Sequence, residues 1–186
     1  SRVYHTKSSN GHNRIQMMVE PLDDNTTRMS LDGEINEMTR DKKLARLLRE
    51  KSGWDKKEAK KVWDVYNGNV LVNGTKGLQR LDRIKSYVIG AFREFVDNGP
   101  LCKEPIMGLK AKFVDATVHV DPAHTGYGQI ATMTTSGLAL AFLDADPKIF
   151  EPIQKVDIKT PRGTEGDIIG ILSQHRGQTN DIAEDG

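Results

Sequence analysis

The segment 109–119 reads LKAKFVDATVH, and this stretch determines the predicted fold. Positions 109, 111 and 113 are apolar, and positions 110 and 112 are lysines. From Val114 onward the apolar residues move to the even positions. A period of two is typical of a strand with one buried face. The one-residue slip predicts either a bulge or a twist near Phe113 to Asp115, and we predict that the strand ends at His119.

The residues after this strand read VDPAHTGYG over 120–128, a composition typical of a loop. An apolar helix is then predicted from about Gln129, and its segment 138–143 is apolar nearly all round, which favours burial. A loop held by a rigid element at each end can position a side chain well.

Upstream, segment 14–20 is predicted to be a strand that Pro21 ends, and 1–13 is predicted to be a loop. Two short amphipathic patterns within 41–66 predict a helical hairpin with Gly53 between its helices. The many lysines of this hairpin are most simply a solvated surface, with an RNA-binding patch as the alternative. Segment 69–73 is compatible with a short strand or a connection. A core helix is predicted from about Leu78 to Asn98, ended by Gly99-Pro100.

Downstream, 153–160 alternates like a strand, 163–175 has a helical pattern, and 176–178 begins another extended stretch. These three segments predict the start of a βαβ unit. Together with the upstream elements they indicate an α+β protein.

Composition excludes several classes of function. The formal net charge is +1, so the chain as a whole lacks the excess positive charge of a strongly basic nucleic-acid-binding protein. Cys102 is the single cysteine, which leaves no internal disulfide and no cysteine-pair metal site. No apolar run approaches the roughly 20 residues of a membrane-spanning helix. We expect a cytoplasmic protein that has no membrane partner.

Catalytic signatures are weak. The sequence contains neither a G-x-x-x-x-G-K-[ST] phosphate loop nor a G-x-G-x-x-G motif after a strand. His119 and His124 are the most notable titratable pair, but a spacing of five residues in a Pro/Gly loop fixes no metal geometry. We predict no catalytic residue and no metal site. An enzyme that uses His119, Asp121 and His124 would require a bound metal or a deep pocket at this loop.

Seven short motifs in a fixed order carry a family resemblance. They are SNGHNR at 9–14, VEPL at 19–22, VWDVYNGN at 62–69, GPL at 99–101, EPIMG at 104–108, DATVH at 115–119 and EPIQKV at 151–156. In this order they resemble the archaeal and eukaryotic elongation factor 2 family, the ribosomal translocases, over residues 8 to 180.

The resemblance implies a fold and domain boundaries. Residues 1–150 would form a tip domain resembling domain four of the family, similar to ribosomal protein S5 domain 2, with a helical insertion at about 35–97. Residues 151–186 would form an incomplete part of domain five, a partial ferredoxin-like βαβ unit.

The resemblance also implies translation elongation. In this family the tip domain enters the decoding region of the ribosome and contacts tRNA, mRNA and rRNA during translocation. The whole factor would be a GTPase, but GTP and Mg²⁺ would bind a domain outside these residues, so this chain has no cofactor of its own and is not an enzyme. We expect a monomer. The alternative is a stand-alone ribosome- or RNA-binding paralogue without the GTPase.

Site residues follow from the family motif Asp-x-x-His-x-Gly. The motif places the histidine that the family converts to diphthamide at His124, which would make diphthamide-synthesis enzymes partners. The residues expected to lie in the tip loops and face RNA are His119, Asp121, Thr125, Gly126, Asn10, His12 and Arg14. Family members usually carry Ile-His-Arg-Gly where this chain has AHTG at 123–126, so the tip here has one cation fewer.

Overall fold

The computed structural model describes residues 2–76 and 81–182. The chain divides into two compact units, Ser1–Lys148 and Ile149–Gly186. Within the described residues, no helix is both long enough and apolar enough to cross a bilayer. The predicted α+β class is confirmed by a five-stranded sheet with helices packed against it.

The first unit is built on one mixed sheet with strand order β1-β2-β5-β4-β3. Its strands are β1 Tyr4–Lys7, β2 Arg14–Pro21, β3 Val62–Tyr66, β4 Asn69–Asn73 and β5 Leu109–Thr117. Neighbouring strands are antiparallel except β4 and β5, which are parallel and are connected by a helix, as parallel strands require. β5 therefore lies at the centre of the sheet, between β2 and β4.

Of the two irregularities predicted for β5, a bulge or a twist, the structure has the bulge. Gln16 pairs with Asp115 and Met17 pairs with Phe113, so Val114 is the extra residue. The strand ends at Thr117 rather than at the predicted His119. The bulge brings both Phe113 and Ala116 into the same core although they are an odd number of residues apart.

Six helices complete the described structure. They are α1 Asp24–Leu31, α2 Asp41–Ser52, α3 Lys56–Ala59, α4 Leu81–Asp97, α5 Tyr127–Asp144 and α6 Glu165–Gln174. On β4, Leu71 packs into a core with α4 and α5, whereas Val70 and Val72 pack into a second core with α1, α2 and α3. Since successive side chains of a strand point to opposite faces, the two cores lie on opposite faces of the sheet.

A polar cluster covers part of the second face. Lys112 Nζ lies 2.7 Å from Glu20 Oε1 and 2.8 Å from Glu58 Oε1, and Lys110 Nζ lies 2.6 Å from the same oxygen of Glu20. Burial raises the pKa of Glu20, but hydrogen bonds from the two lysines outweigh burial and lower it overall. Burial lowers the pKa of Lys112, but its two carboxylate partners raise it overall. Lys110 also lies over the Trp54 ring, 4.7 Å from its centroid.

Three upstream predictions are wrong. Residues 4–7, predicted as part of a loop, form β1, whose Thr6 hydroxyl donates to the Met133 carbonyl 2.8 Å away. The second helix of the predicted hairpin stops at Ala59, and residues 62–66 form β3. The span 35–97 is therefore not a helical insertion, because it contains two strands of the central sheet.

The helix boundaries also differ in detail from prediction. The short strand at 69–73 is confirmed as β4. The predicted start of the core helix at Leu78 lies outside the described residues, and the described part is α4. Helix α5 begins at Tyr127, two residues before the predicted Gln129, and its outer side is open, with Leu140 and Leu143 about half exposed.

The second unit contains α6, but no strand within residues 149–182. The predicted strand at 153–160 and the extended stretch at 176–178 have no hydrogen-bonded partner strand in the described structure. A strand needs such a partner to satisfy its backbone, so alternation alone was insufficient. The expected βαβ unit is wrong for these residues.

Candidate functional site

Two loops meet at one end of the central sheet, and we call them together the tip. The first, residues 8–13, joins β1 to β2, and the second, residues 118–126, joins β5 to α5. Arg14 pairs with Lys7 on one side and with Thr117 on the other. The registers of three adjacent strands therefore hold both loops side by side.

Asn13 connects the two loops and is completely buried. Its Nδ2 donates to the His124 carbonyl at 2.8 Å and to Ser8 Oγ at 3.1 Å. Its Oδ1 accepts from the His119 backbone N–H at 3.0 Å. One amide side chain thus fixes the backbone beside both loop histidines.

Asn10 makes a second connection between the loops. Its Nδ2 donates to the same His124 carbonyl at 2.9 Å, and its backbone N–H donates to Gln129 Oε1 at 2.9 Å. Since Gln129 lies in the first turn of α5, this bond attaches the first loop to the helix that follows the second loop. Asn13, Ser8 and Gln129 were not singled out from the sequence, since turn composition does not reveal which amide is buried.

The tip brings three histidines together. The His12 ring centroid lies 4.9 Å from that of His119 and 4.3 Å from that of His124, and the latter two are 4.6 Å apart. His119 Nδ1 accepts from the Asp121 backbone N–H at 3.1 Å. Within the described residues, the ring nitrogens of His12 and His124 have no hydrogen-bond partner. They are available to an external one.

The remaining predicted tip residues take different positions. Asp121 is exposed and caps a 3₁₀ turn at 122–124, its Oδ1 accepting from the Ala123 N–H at 2.9 Å. Arg14 is exposed at the first position of β2, and Gly126 is the N-cap of α5. Thr125 does not face solvent: it is 5% exposed, and its hydroxyl donates to the Pro122 carbonyl at 3.1 Å. The expectation that Thr125 contacts RNA is corrected accordingly.

The chemistry of the tip is polar and weakly charged. Arg14 is the one Lys or Arg in residues 8–14 and 118–126, and Asp121 is the one acidic residue. Across the described parts of the chain, no group of three His, Cys, Asp or Glu side chains has an arrangement that could hold a metal ion. The tip offers imidazole rings for stacking and hydrogen bonding on a fixed backbone.

A family model described as elongation factor G, domain IV, matches residues 33–146. The chain belongs to this family. The match covers most of the first unit, including β3, β4, α4, β5 and the second tip loop. It confirms the resemblance that the ordered sequence motifs indicated.

Proteins named Elongation factor 2 are similar to this domain IV chain along its whole length. The one from Pyrobaculum calidifontis is 42% identical over 186 residues, covering 99% of the chain and 25% of that protein. The one from Staphylothermus marinus is 40% identical and the one from Aeropyrum pernix 37% identical, each over 187 residues, covering all of the chain and 25% of the relative. The chain thus spans about a quarter of the length of the curated relatives it matches.

Proposed function

We propose that this chain is the tip-bearing part of a translation elongation factor, a GTP-dependent ribosomal translocase, and that its tip contacts tRNA, mRNA and rRNA in the decoding region. The similarity to Elongation factor 2 over the whole chain supports this function and favours it over a stand-alone paralogue. The arrangement of the tip supports it independently, because one exposed and two half-buried imidazoles on a rigid backbone suit stacking and hydrogen bonding to RNA.

The observation that carries this proposal is the double attachment of His124. Its carbonyl accepts from both Asn13 and Asn10, while its ring is free to contact a partner. A contact residue whose backbone is fixed before binding loses less conformational entropy when it binds. The tip is thus suited to hold one geometry against a moving RNA.

GTP and Mg²⁺ belong, in this proposal, to another domain of the whole factor. The 186 residues contain no phosphate loop, and we propose that this chain is not itself an enzyme and works by contact. We also propose that the first unit has the ribosomal protein S5 domain 2-like fold. The parallel pair β4 and β5, joined by α4, supports that assignment.

Modification of His124 to diphthamide is the second part of the proposal. The ring is half-buried, contacts His12 and His119, and makes no hydrogen bond within the described residues. A bulky polar extension can therefore leave the loop without breaking the Asn13 and Asn10 bonds, which involve only the carbonyl of the residue. Peptide mass spectrometry of the native protein tests this directly. An unmodified His124 would refute the modification and leave the ribosomal contact standing.

Directed hydroxyl-radical probing tests the contact itself. The probe is an iron chelate attached to a cysteine introduced by His12→Cys in the full-length protein, with Cys102→Ser and any other cysteine replaced. This chelate should cleave rRNA of the decoding region. Cys102 provides a matched control position, because it is exposed and precedes the start of β5, whereas the tip follows the end of β5. Equal cleavage patterns from the two positions would contradict the proposed orientation of the tip.

A further inference from the structure

The strongest concentration of positive charge lies away from the tip, along α2 and α3. Residues 40–61, which we call the α2–α3 basic surface, contain ten Lys and Arg against four Asp and Glu, a net charge of +6. The whole chain carries +1, so all other residues together carry −5. All ten basic residues are exposed. The net positive charge of this chain is therefore concentrated in residues 40–61.

The pattern within α2 orders these charges. Leu44, Leu47 and Leu48 point into the second core. Lys42, Arg46 and Arg49 follow the i, i+4, i+7 spacing on the other side, which aligns them over about 10 Å of helix. The row presents three cations to one external surface.

The acidic residues of the surface neutralise little of this charge. The Glu58 carboxylate binds Lys110 and Lys112 on the sheet, and Asp55 accepts from the backbone N–H groups at the start of α3. Arg46 Nε lies 3.9 Å from Glu50 Oε2, and because both side chains are mostly exposed this ion pair is weak. The basic residues of this surface with no ion-pair partner within the described residues are Arg40, Lys42, Lys43, Arg49, Lys56, Lys57, Lys60 and Lys61.

We propose that the α2–α3 basic surface binds the phosphate backbone of double-helical RNA, separately from the tip. Clustered guanidinium and ammonium groups on one surface are the electrostatic feature that phosphate backbones recognise. Two cations lie at the tip loops, Arg14 at the start of β2 and Arg83, which donates to the Val120 carbonyl, against ten on the α2–α3 basic surface, so the larger phosphate attraction lies here. This inference goes beyond the proposed function and does not depend on any tip contact.

Other occupants fit the surface less well. Its apolar residues, among them Leu44, Leu48 and Trp54, are buried, so it lacks the exposed apolar or aromatic anchors of a protein interface. The same lack of exposed aromatic rings leaves nothing on which unpaired bases could stack. Residues 40–61 contain no Asn or Gln, side chains that read adenine edges. We therefore assign duplex RNA, bound without strong sequence preference.

The salt dependence of binding tests the proposal. Fluorescence anisotropy would measure the affinity of the 186-residue chain for a mixed-sequence RNA duplex of about 16 base pairs, the span that small duplex-binding domains cover. The test variant carries Lys42→Gln, Lys43→Gln and Arg49→Gln, which keep good helix formers at exposed positions. The matched control carries Lys103→Gln, Lys155→Gln and Lys159→Gln, which remove the same charge from exposed positions elsewhere.

Removing three phosphate contacts should lower the slope of log affinity against log salt by about 2.7, using the value of about 0.9 per contact known for duplex DNA. Between 50 and 200 mM salt, that change makes the loss of affinity about 40-fold smaller for the test variant than for the unmodified chain. The control variant should keep the original slope. Circular dichroism and thermal unfolding check that both variants are folded.

Three results would overturn the assignment. Equal slopes for the two variants would show that the effect depends on net charge alone. Tighter binding of the chain to a single-stranded RNA would exclude the duplex as the ligand. If polyglutamate competed with the duplex as well as RNA does, the result would point to an acidic protein as the partner. His124→Ala measured in the same assay separates the two proposals. This variant should keep the duplex affinity, whereas the test variant should keep the decoding-region cleavage pattern of the tip.

Discussion

Replacing Asn13 by Ala tests whether one buried amide holds the tip together. The substitution removes two donated hydrogen bonds, to the His124 carbonyl and Ser8 Oγ, and one accepted bond from the His119 N–H. The His124 carbonyl keeps Asn10 as a donor, but the His119 N–H loses its partner next to a completely buried position. The main cost is therefore one unpaired donor together with the lost bonds.

The expected magnitude follows from these contacts. A buried polar group left unpaired costs about 1–3 kcal/mol, and each lost bond contributes about 1 kcal/mol net. The unpaired His119 N–H and the two lost donated bonds together predict that Asn13→Ala lowers the free energy of unfolding by about 3–5 kcal/mol. Asn10→Ala is the matched control: it removes a half-buried amide that water can replace, and should cost about 1 kcal/mol or less.

Urea unfolding of the 186-residue chain measures both free energies, and NMR of the imidazole protons of His12, His119 and His124 reports on the tip. In Asn13→Ala these ring signals should shift together, since the backbone that orients the rings is released. A loss under about 0.5 kcal/mol, or a loss equal to that of Asn10→Ala, would refute the view that Asn13 joins the loops.

Three further predictions concern the body of the domain. Arg93→Ala should lower the free energy of unfolding, measured by urea titration, by about 3 kcal/mol. The reason is that Asp64, whose side chain is 3% exposed, loses its bidentate partner, and Arg93→Lys should restore part of the loss. Gly99→Ala should cost about 1–3 kcal/mol by the same measurement, because an added Cβ would lie 2.6 Å from a backbone oxygen, whereas Gly128→Ala meets open space and should be nearly neutral. Hydrogen bonds from two lysines lower the pKa of Glu20 below its usual 4.5. The stability that this carboxylate contributes is therefore present above about pH 4.5 and is lost as the pH falls further, and Glu20→Gln should flatten that part of the pH–stability curve.

The sequence contained enough information to place β5 and the irregularity near Phe113 to Asp115, because a one-residue slip in a period of two reverses the two faces of a strand. The pairing with β2 was needed to show that this irregularity is a bulge and not a twist. It also contained a signal that was missed at β3. Val62, Trp63 and Tyr66 fit helical spacing, but Asn67-Gly68 is a strong hairpin signal, and both residues have positive φ in the structure (45° and 76°). The hairpin of β3 and β4 was therefore predictable from that dipeptide.

Other features depend on contacts that no local pattern records. β1 is short and polar, and its position depends on pairing with β2 and on a hydrogen bond to α5 that spans 127 residues. The predicted strand at 153–160 alternates better than β1 does, yet has no partner in the described residues. In both cases the availability of a partner strand decided the outcome, and alternation did not.

The placement of charge in the first unit suggests different roles for the two proposed RNA-binding surfaces, the tip and the α2–α3 basic surface. A contact that must follow RNA through several positions benefits from fixed geometry and weak long-range attraction, because strong phosphate binding would slow release. The tip has this character: a buried Asn13 fixes it, and Arg14 is the one Lys or Arg in residues 8–14 and 118–126. The α2–α3 basic surface has the opposite character, with long flexible cations on a helix packed against the second core. In this proposal the helices α2 and α3 supply the attraction to RNA, and the tip loops define the geometry of the contact. Because the two sets of residues are separate, each property can be altered by mutation without the other.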